Sequence, residues 1–406
     1  MFVARQAILD RQQRLYAYEL LFRGDGNHNE FDGTESGTAT KQVISHTLLS
    51  AGLEDILAGK KGFLNFDYRL LADAMHLNFP KQSIVIELLE SVKPSKDLVA
   101  LCCTIRDQGY TLALDDFVWS PEYEPLTLLA SVIKVDIRVT PPEEQKRVVD
   151  KFKLRGLKML AEKVETHEEF AHARDLGFDY FQGYFFARPL VVRGHDISAN
   201  KTTCLRLLRE IYNPDPDFQK IAKLIRQDVA LSYKLLRYVN SAAMARRETT
   251  ESLERALVIL GETGIRRWAA LATLPALATN KPGELSTMSL VRARFCEQMA
   301  LRSGFASASN DAFLVGLFSL LDALVDRPIG EALQELRLPP AIADVLLGKD
   351  SAPQPLLRLH ELIRSYEDGN WSRVETLTQE CHLPNGAVRE GYLEAASWAG
   401  EITQGR

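Results

Sequence analysis

Polar side chains stand at the ends of the apolar segments in residues 1 to about 190. They are Glu19, Asn65, Glu87, Asp115 with Asp116, Lys134 with Asp136, Glu162 and Gln182. Carboxylate and amide oxygens are hard ligands, which suit Mg²⁺, Mn²⁺ or Ca²⁺ better than zinc. Two such ions about 3.5–4 Å apart, bridged by a carboxylate, are a common arrangement for hydrolysing a phosphodiester. The pattern therefore favours an oxygen-rich two-ion site in which Asp115 and Asp116 serve as bridge and second-ion ligand.

A simpler explanation exists for each carboxylate taken alone. A carboxylate that follows a strand is most often a solvated loop residue or the cap of the next helix. A series that ends successive apolar segments is harder to explain in that way. Lys134 lies inside the apolar stretch "VIKVDI", and a lysine rarely faces a core without a partner. Metal-bound water or phosphate would supply such a partner, so Lys134 belongs to the candidate site.

The elements that would position these residues alternate between strands and helices. Apolar segments at 15–22, 62–66, 83–89, 110–116, 131–137, 157–164 and 178–186 predict about seven strands, and helices are predicted at 38–58, 95–108, 142–153 and 166–175. Repeated strand and helix units indicate a parallel α/β fold, and this many strands in under about 200 residues favour a TIM-like barrel. The carboxyl ends of barrel strands share one rim, where distant residues would face one another.

The pattern changes near residue 191. Beyond it, apolar residues recur at spacings of three and four, which predicts helices, and short proline-containing loop segments separate them. We predict two domains, an α/β barrel at 1–195 and an all-helical domain at 200–406. The apolar stripes of the helices are explained as core.

The bulk composition excludes several classes of protein. The 406 residues carry a net charge of -5, which argues against binding a nucleic acid polymer. The five cysteines show no CxxC spacing, so neither a disulfide framework nor a zinc site is indicated, and a reducing cytoplasm fits best. The N-terminal residues lack the apolar region of a signal peptide, and no segment approaches the roughly 18 apolar residues of a membrane span.

Seven motifs, in order along the chain, resemble those of the EAL domain, the cyclic di-GMP phosphodiesterase fold. The similar segments are "YELLFR" (18–23), "LNFD" (64–67), "IELLES" (86–91), "LALDDF" (112–117), "IKVD" (133–136), "AEKVET" (161–166) and "QGYFFARP" (182–189). The resemblance covers nearly half of the chain. It implies a Mg²⁺- or Mn²⁺-dependent reaction, with two ions, that opens cyclic di-GMP to linear pGpG.

The resemblance also implies a role for each candidate residue. The metal ligands would be Glu19, Asn65, Glu87, Asp115 and Asp116. Lys134 and Glu162 would position and deprotonate the attacking water, Arg23 and Gln182 would contact the nucleotide, and Glu90 would brace the loop after Asp116. Arginine suits the nucleotide role because its planar fork matches phosphate oxygens.

The chain departs from the EAL pattern in one loop and at one further position. After the paired aspartates the family has approximately D-F-G-T-G-Y-S-S, whereas this chain has "DFVWSPEYEP". Valine, tryptophan and proline cannot adopt the backbone conformations that glycine permits there. Lys163 replaces the glycine of A-E-G-V-E-T and places a cation beside Glu162.

These departures leave two main hypotheses and a third. The first is a phosphodiesterase, favoured by the complete series of ligand types. The second is a catalytically degenerate domain that acts as a cyclic di-GMP receptor or scaffold, favoured by the rewritten loop. The third is a TIM-barrel enzyme for another substrate, because a fold does not fix a function.

The C-terminal half resembles an HDOD domain, which is built on an HD-type helical fold. The similar segments are 207–242, 251–271 and 311–325. Where HD hydrolases have a His-Asp pair, this chain has Ser319 and Leu320, and its only histidines in this half are His360 and His382. The resemblance therefore implies no hydrolysis here. The order of EAL then HDOD is similar to a family of bacterial signalling proteins, which implies an HDOD protein partner and, as a further expectation, a homodimer.

Overall fold

The structure of the chain is a computed structural model. It describes residues 2–23, 56–74, 80–90, 92–190, 199–241, 250 and 252–404. The predicted helix at 38–58 lies outside these residues except for its last three positions. The chain forms two compact units. Unit 1 contains Met1–Arg188, Arg364–Thr376 and Asn385–Arg406, and unit 2 contains Pro189–Ile363 and Leu377–Pro384.

Unit 1 contains a closed barrel of eight strands in the order β1 to β8. The strands are β1 (Phe2–Asp10), β2 (Leu15–Arg23), β3 (Lys61–Phe66), β4 (Ile84–Leu88), β5 (Thr111–Leu114), β6 (Val132–Asp136), β7 (Lys158–Glu162) and β8 (Tyr180–Gln182). Neighbours from β2 to β8 are parallel, and β1 is antiparallel to both β2 and β8. The TIM-like barrel is therefore confirmed, with one strand more than the sequence predicted.

The additional strand, β1, differs from the predicted pattern because it contains Arg5 and Gln6 among apolar residues. Arg5 is nevertheless buried. Its guanidinium lies 4.3 Å from the ring centroid of Tyr18 and donates a hydrogen bond to the Ile56 carbonyl. These contacts compensate the burial of the charge, so a charged residue is accepted within a strand.

The barrel interior is apolar below the rim that carries the candidate residues. One layer consists of Ile8, Ala17, Phe63, Val85, Ala113, Val132 and Leu160. The five helices described between the strands are α1 (Tyr68–Ala74), α2 (Lys96–Asp107), α3 (Glu124–Thr127), α4 (Pro142–Lys153) and α5 (His167–Leu176). Three of them match predicted helices. The start of α5 is fixed by a reciprocal capping box between Thr166 and Glu169, and Gly177 ends it with a φ of 113°.

The remaining described helices follow residue 198, and the all-helical prediction for this half is confirmed. They are α6 (Ala199–Ile211), α7 (Phe218–Arg226), α8 (Val229–Val239), α9 (Leu253–Leu277), α10 (Gly283–Arg302), α11 (Ser309–Phe318), α12 (Leu321–Val325), α13 (Ile329–Leu336), α14 (Pro340–Leu346), α15 (Gln354–Glu367), α16 (Trp371–Glu380) and α17 (Ala387–Gln404). Within the described ranges, no helix is long and apolar enough to cross a membrane.

The compact units differ from the predicted domains 1–195 and 200–406, because two C-terminal segments belong to the barrel unit. The hydroxyl of the buried Tyr366 donates to the Val3 carbonyl at 2.8 Å and accepts from the Val3 amide at 3.1 Å. The ring of Trp371 stacks on Phe2 with centroids 5.5 Å apart. Because β8 pairs with β1 only at residues 8–10, Tyr366 takes the place of a strand partner for Val3.

Candidate active site

Four carboxylates converge on the ammonium of Lys134 at the carboxyl end of the barrel. Lys134 lies on β6 and is completely buried. Its Nζ is 2.7 Å from Asp115, 2.8 Å from Glu87, 3.0 Å from Glu162 and 3.2 Å from Glu19. These acids come from β2, β4, β7 and the residue after β5, so the barrel closure assembles the cluster. The partners predicted for a buried lysine are therefore carboxylates of this chain.

Glu19 is held from two further sides by amide side chains. Asn65 Nδ2 donates to one Glu19 oxygen at 2.8 Å, and Gln182 Nε2 donates to the other at 2.7 Å. Gln182 Nε2 also donates to Gln6 Oε1. The barrel therefore brings Glu19, Asn65 and Gln182 together, as the sequence predicted.

Gln6 is the residue of this network that the sequence analysis missed. It pairs with Glu19 across β1 and β2, which places it at the same level of the barrel. The signal in the sequence was a polar residue two positions before the apolar pair Ile8–Leu9. It could be used only if β1 was recognised as a strand.

Burial favours the protonated, neutral form of the acids in the cluster, and the positive charge of Lys134 opposes this effect. Desolvation raises the pKa of Glu87 well above its ordinary value and raises the pKa of Glu162 to about 8, although Lys134 lowers both. For Glu19, Lys134 and the amide hydrogen bonds outweigh the desolvation, so its pKa is lowered. The pKa of Lys134 is raised well above its ordinary value, because the four acids outweigh its own desolvation. Lys134 is thus a permanent cation, and Glu162 can hold or release a proton near neutral pH.

Asp116 faces a different cation from its neighbour Asp115. Its Oδ2 lies 3.9 Å from Nζ of Lys163, and the same ammonium lies 2.5 Å from Asp136. Burial raises the pKa of Asp116, and the charges of Asp136 and Glu90 add to this effect against Lys163. Both Asp116 and Lys163 have positive φ, 40° and 56°. The turn after β7 therefore has the left-handed backbone for which the family uses glycine, and a lysine adopts it here.

The loop after Asp116 is ordered by aromatic contacts rather than by glycines. The Phe117 amide donates to the Lys134 carbonyl at 2.9 Å. Phe117 and Trp119 both contact the ring of Phe152 edge to face, with centroids 5.6 and 5.5 Å away. The Lys151 ammonium lies 3.1 Å from the Trp119 ring centroid. The rewritten sequence thus forms a packed loop of its own, in which the side chain of Val118 is largely exposed.

Several buried oxygens of the site have no hydrogen-bond partner within the described part of the chain. They are Asn65 Oδ1, Glu87 Oε2, Asp116 Oδ1, Glu162 Oε2 and Gln182 Oε1. The other Glu87 oxygen, Oε1, and Asp115 Oδ1 contact Lys134 Nζ at 2.8 and 2.7 Å. Ammonium has only three N–H groups, so it cannot donate to four carboxylates at once. Buried oxygens without donors are costly unless a cation or another donor satisfies them. This all-oxygen set fits Mg²⁺, Mn²⁺ or Ca²⁺.

The described residues contain no group of three or more acidic, histidine or cysteine side chains already arranged to hold an ion. The acidic groups point at Lys134 instead. Holding a cation therefore requires a local rearrangement of side chains around this ammonium.

The two remaining predicted residues lie at the same rim. Arg23 is the last residue of β2 and pairs with Phe2 of β1. Glu90 is exposed in the turn that follows β4, where its charge acts on Asp116. In unit 2, Ser319 is the residue that follows α11, and its hydroxyl donates to the Gly316 carbonyl and accepts from Arg292.

Comparison with known proteins matches both halves of the chain to described families. The model of the EAL domain matches residues 65–189, and the model of the HDOD domain matches residues 198–325. Glu19 and Arg23 lie before the matched EAL range, so their place in the site rests on the barrel geometry.

Two relatives match along nearly the whole chain. A Vibrio cholerae protein named "Cyclic di-GMP phosphodiesterase CdgJ" is 36% identical over 99% of this chain and 93% of its own length. The chain belongs to the EAL–HDOD family. A second member, the "Uncharacterized protein YuxH" of Bacillus subtilis, is 33% identical over 98% of both chains.

Solved structures of EAL proteins also match part of the chain. A standalone EAL protein from Vibrio cholerae O395 in its c-di-GMP bound form is 23% identical, covers 46% of this chain and 91% of its own, and has a TM-score of 0.37. At that score, the assignment of this EAL–HDOD chain rests on the sequence matches.

Proposed function

We propose that this EAL–HDOD chain is a divalent-metal-dependent phosphodiesterase that hydrolyses cyclic di-GMP to linear pGpG. The observation that carries the proposal is the set of buried oxygens on Asn65, Glu87, Asp116 and Glu162, at one end of the barrel, that have no hydrogen-bond partner among the described residues. Membership of a family that includes a named cyclic di-GMP phosphodiesterase supports the substrate.

The metal ligands would be Glu19, Asn65, Glu87, Asp115 and Asp116, and Mg²⁺ or Mn²⁺ fits their oxygen donors. When bound, the ion supplies Lewis-acid stabilisation of phosphoryl charge and lowers the pKa of water.

The chain's own residues account for the remaining chemistry. Glu162 is placed to accept the proton of the attacking water at Oε2, the oxygen that has no partner among the described residues. Burial raises the pKa of Glu162, so its ionised carboxylate is a stronger base than an exposed glutamate. Lys134 provides a fixed positive charge beside it and orients the reactants. Arg23 and Gln182 would contact the nucleotide from the rim, and Glu90 would support the loop after Asp116.

The test is turnover of cyclic di-GMP by the purified full chain with Mn²⁺, following pGpG. Asp115→Asn removes a ligand charge at constant size. Asp175→Asn is the matched control, because Asp175 lies in the last turn of α5 with its side chain 70% exposed and paired to Arg174. Turnover that requires Mn²⁺, is lost in Asp115→Asn and persists in Asp175→Asn supports the proposal. Binding of the nucleotide without turnover refutes it.

A second function, a cyclic di-GMP receptor without turnover, is favoured by one observation. Lys134 already contacts four carboxylates, so the cluster has a counter-ion without any metal. Nucleotide binding that is unchanged by a chelator, together with no pGpG, would support this alternative. The HDOD partner and a homodimer remain predictions that family membership motivates, and co-purification and light scattering of the full chain test them.

A further inference from the structure

Each aspartate of the adjacent pair has an ammonium of its own. Asp115 lies 2.7 Å from Nζ of Lys134, which is buried inside the barrel. Asp116 lies 3.9 Å from Nζ of Lys163, which follows β7 at the rim. Two neighbouring carboxylates repel each other, and here each lies near a different cation. The second of these cations stands where the EAL motif has a glycine.

Lys163 is held in this position from two directions. Its ammonium is 2.5 Å from Asp136, and its carbonyl accepts a hydrogen bond from Arg138 Nε at 3.2 Å. Asp136 is itself fixed, because its Oδ1 accepts from the Arg138 amide at 2.8 Å. The lysine is thus part of a built contact, although its side chain is 55% exposed.

A fixed ammonium close to Asp116 opposes a divalent ion on the same carboxylate. At the dielectric constant of water, the repulsion between two like unit charges about 4 Å apart weakens the binding of one of them about fivefold. For a divalent ion the repulsion energy doubles, so this factor is squared. Screening by salt reduces the effect at an exposed rim. A penalty of about tenfold therefore acts on an ion at Asp116. Lys134 opposes an ion in the same way, but four carboxylates surround that ammonium, whereas two, Asp116 and Asp136, contact Lys163.

We propose that Lys163 takes the place of the second cation at Asp116, so that this chain binds one divalent ion tightly instead of two. The inference rests on the proposed function, which supplies the first ion. It assigns Lys163 a defined role: a positive charge of the chain itself that lies beside Asp116 where a second ion would lie.

The experiment is a Mn²⁺ titration of the metal-free full chain, with free Mn²⁺ measured by electron paramagnetic resonance and heat by calorimetry. Lys163→Met removes the charge and keeps the length. Lys163→Gly restores the family residue and relaxes the backbone at φ 56°. Lys158→Met is the matched control, because it removes one positive charge from the opposite end of β7, where Lys158 pairs with Asp179 and is 54% exposed.

The expected result is one tight ion in the wild type and in Lys158→Met. Both Lys163 variants should gain a second ion, with an affinity about tenfold higher than the wild type shows for it. Two equally tight ions in the wild type, or one ion in all four proteins, would overturn the inference and leave the proposed function standing. No Mn²⁺ binding by any of the four would overturn both.

Discussion

Replacing Lys134 with methionine tests whether this ammonium holds the acidic cluster together. The side chain is completely buried, and the four carboxylates around it are at most 13% exposed. Methionine has a similar length and no charge, so packing is largely preserved. Removing one partner of a buried ion pair typically costs about 3–5 kcal/mol, because the other partner stays buried without compensation.

In the presence of a chelator, Lys134→Met should lower the free energy of opening of the barrel by about 3–5 kcal/mol. The raised pKa values of Glu87 and Glu162 mean that protonation offsets part of the lost charge pairing, which keeps the loss within that range. Mn²⁺ should restore much of it, since a ligand at 100 times its Kd stabilises by about 2.7 kcal/mol.

The assay is hydrogen–deuterium exchange of barrel peptides, because it reports opening of unit 1 separately from unit 2. Lys158→Met, which removes an exposed lysine from β7, should change protection by less than about 0.5 kcal/mol. A loss below about 1 kcal/mol in Lys134→Met, or no rescue by Mn²⁺, would refute the reasoning that Lys134 is the internal counter-ion of the cluster.

Three further predictions concern other parts of the barrel unit. Glu162→Gln should lower kcat by about 10²–10⁴-fold, because it removes the proposed proton acceptor; calorimetry should show unchanged nucleotide affinity, and a wild-type rate would exclude this role. Tyr366→Phe leaves the amide and carbonyl of Val3 without their partner and should cost about 1–3 kcal/mol; exchange in β1 measures this, and unchanged protection would show that the contact contributes nothing. Gly183→Ala should lower the free energy of unfolding by more than about 3 kcal/mol, since the φ of Gly183 is 140° and the new Cβ would lie 2.1 Å from the Val164 carbonyl oxygen. The control Gly156→Ala, at a φ of 82° with open space around it, should lower it by only about 1–2 kcal/mol. Equal effects of the two substitutions would contradict the steric argument.

The sequence predicted those parts of the fold that depend on local pattern. Alternating apolar segments and periodic helices sufficed for the seven strands from β2 to β8 and for α2, α4 and α5, because the burial pattern of each element is visible in its own residues. The polar residues near the ends of the apolar segments, such as Glu87 and Lys134, predicted the rim of the barrel, because they too are visible within each segment.

The features that the sequence did not reveal depend on contacts between distant residues. β1 was missed because Arg5 is compensated by Tyr18 and Ile56, neither of which is adjacent in sequence. The pairing of Tyr366 with Val3 joins residues 363 positions apart, which no periodicity encodes. The convergence of four acids on Lys134 likewise needs the closed barrel. The sequence predicted a partner for this lysine but could not say that the partners are carboxylates.

The central claim is that the oxygen-rich end of the barrel hydrolyses cyclic di-GMP with a divalent ion. The most direct measurement is the rate of pGpG formation by the full chain at increasing Mn²⁺, with and without excess chelator, for the wild type and Asp115→Asn. The account predicts saturable, chelator-sensitive turnover in the wild type and its loss in Asp115→Asn. Tight binding of cyclic di-GMP with no pGpG at any Mn²⁺ concentration would contradict it.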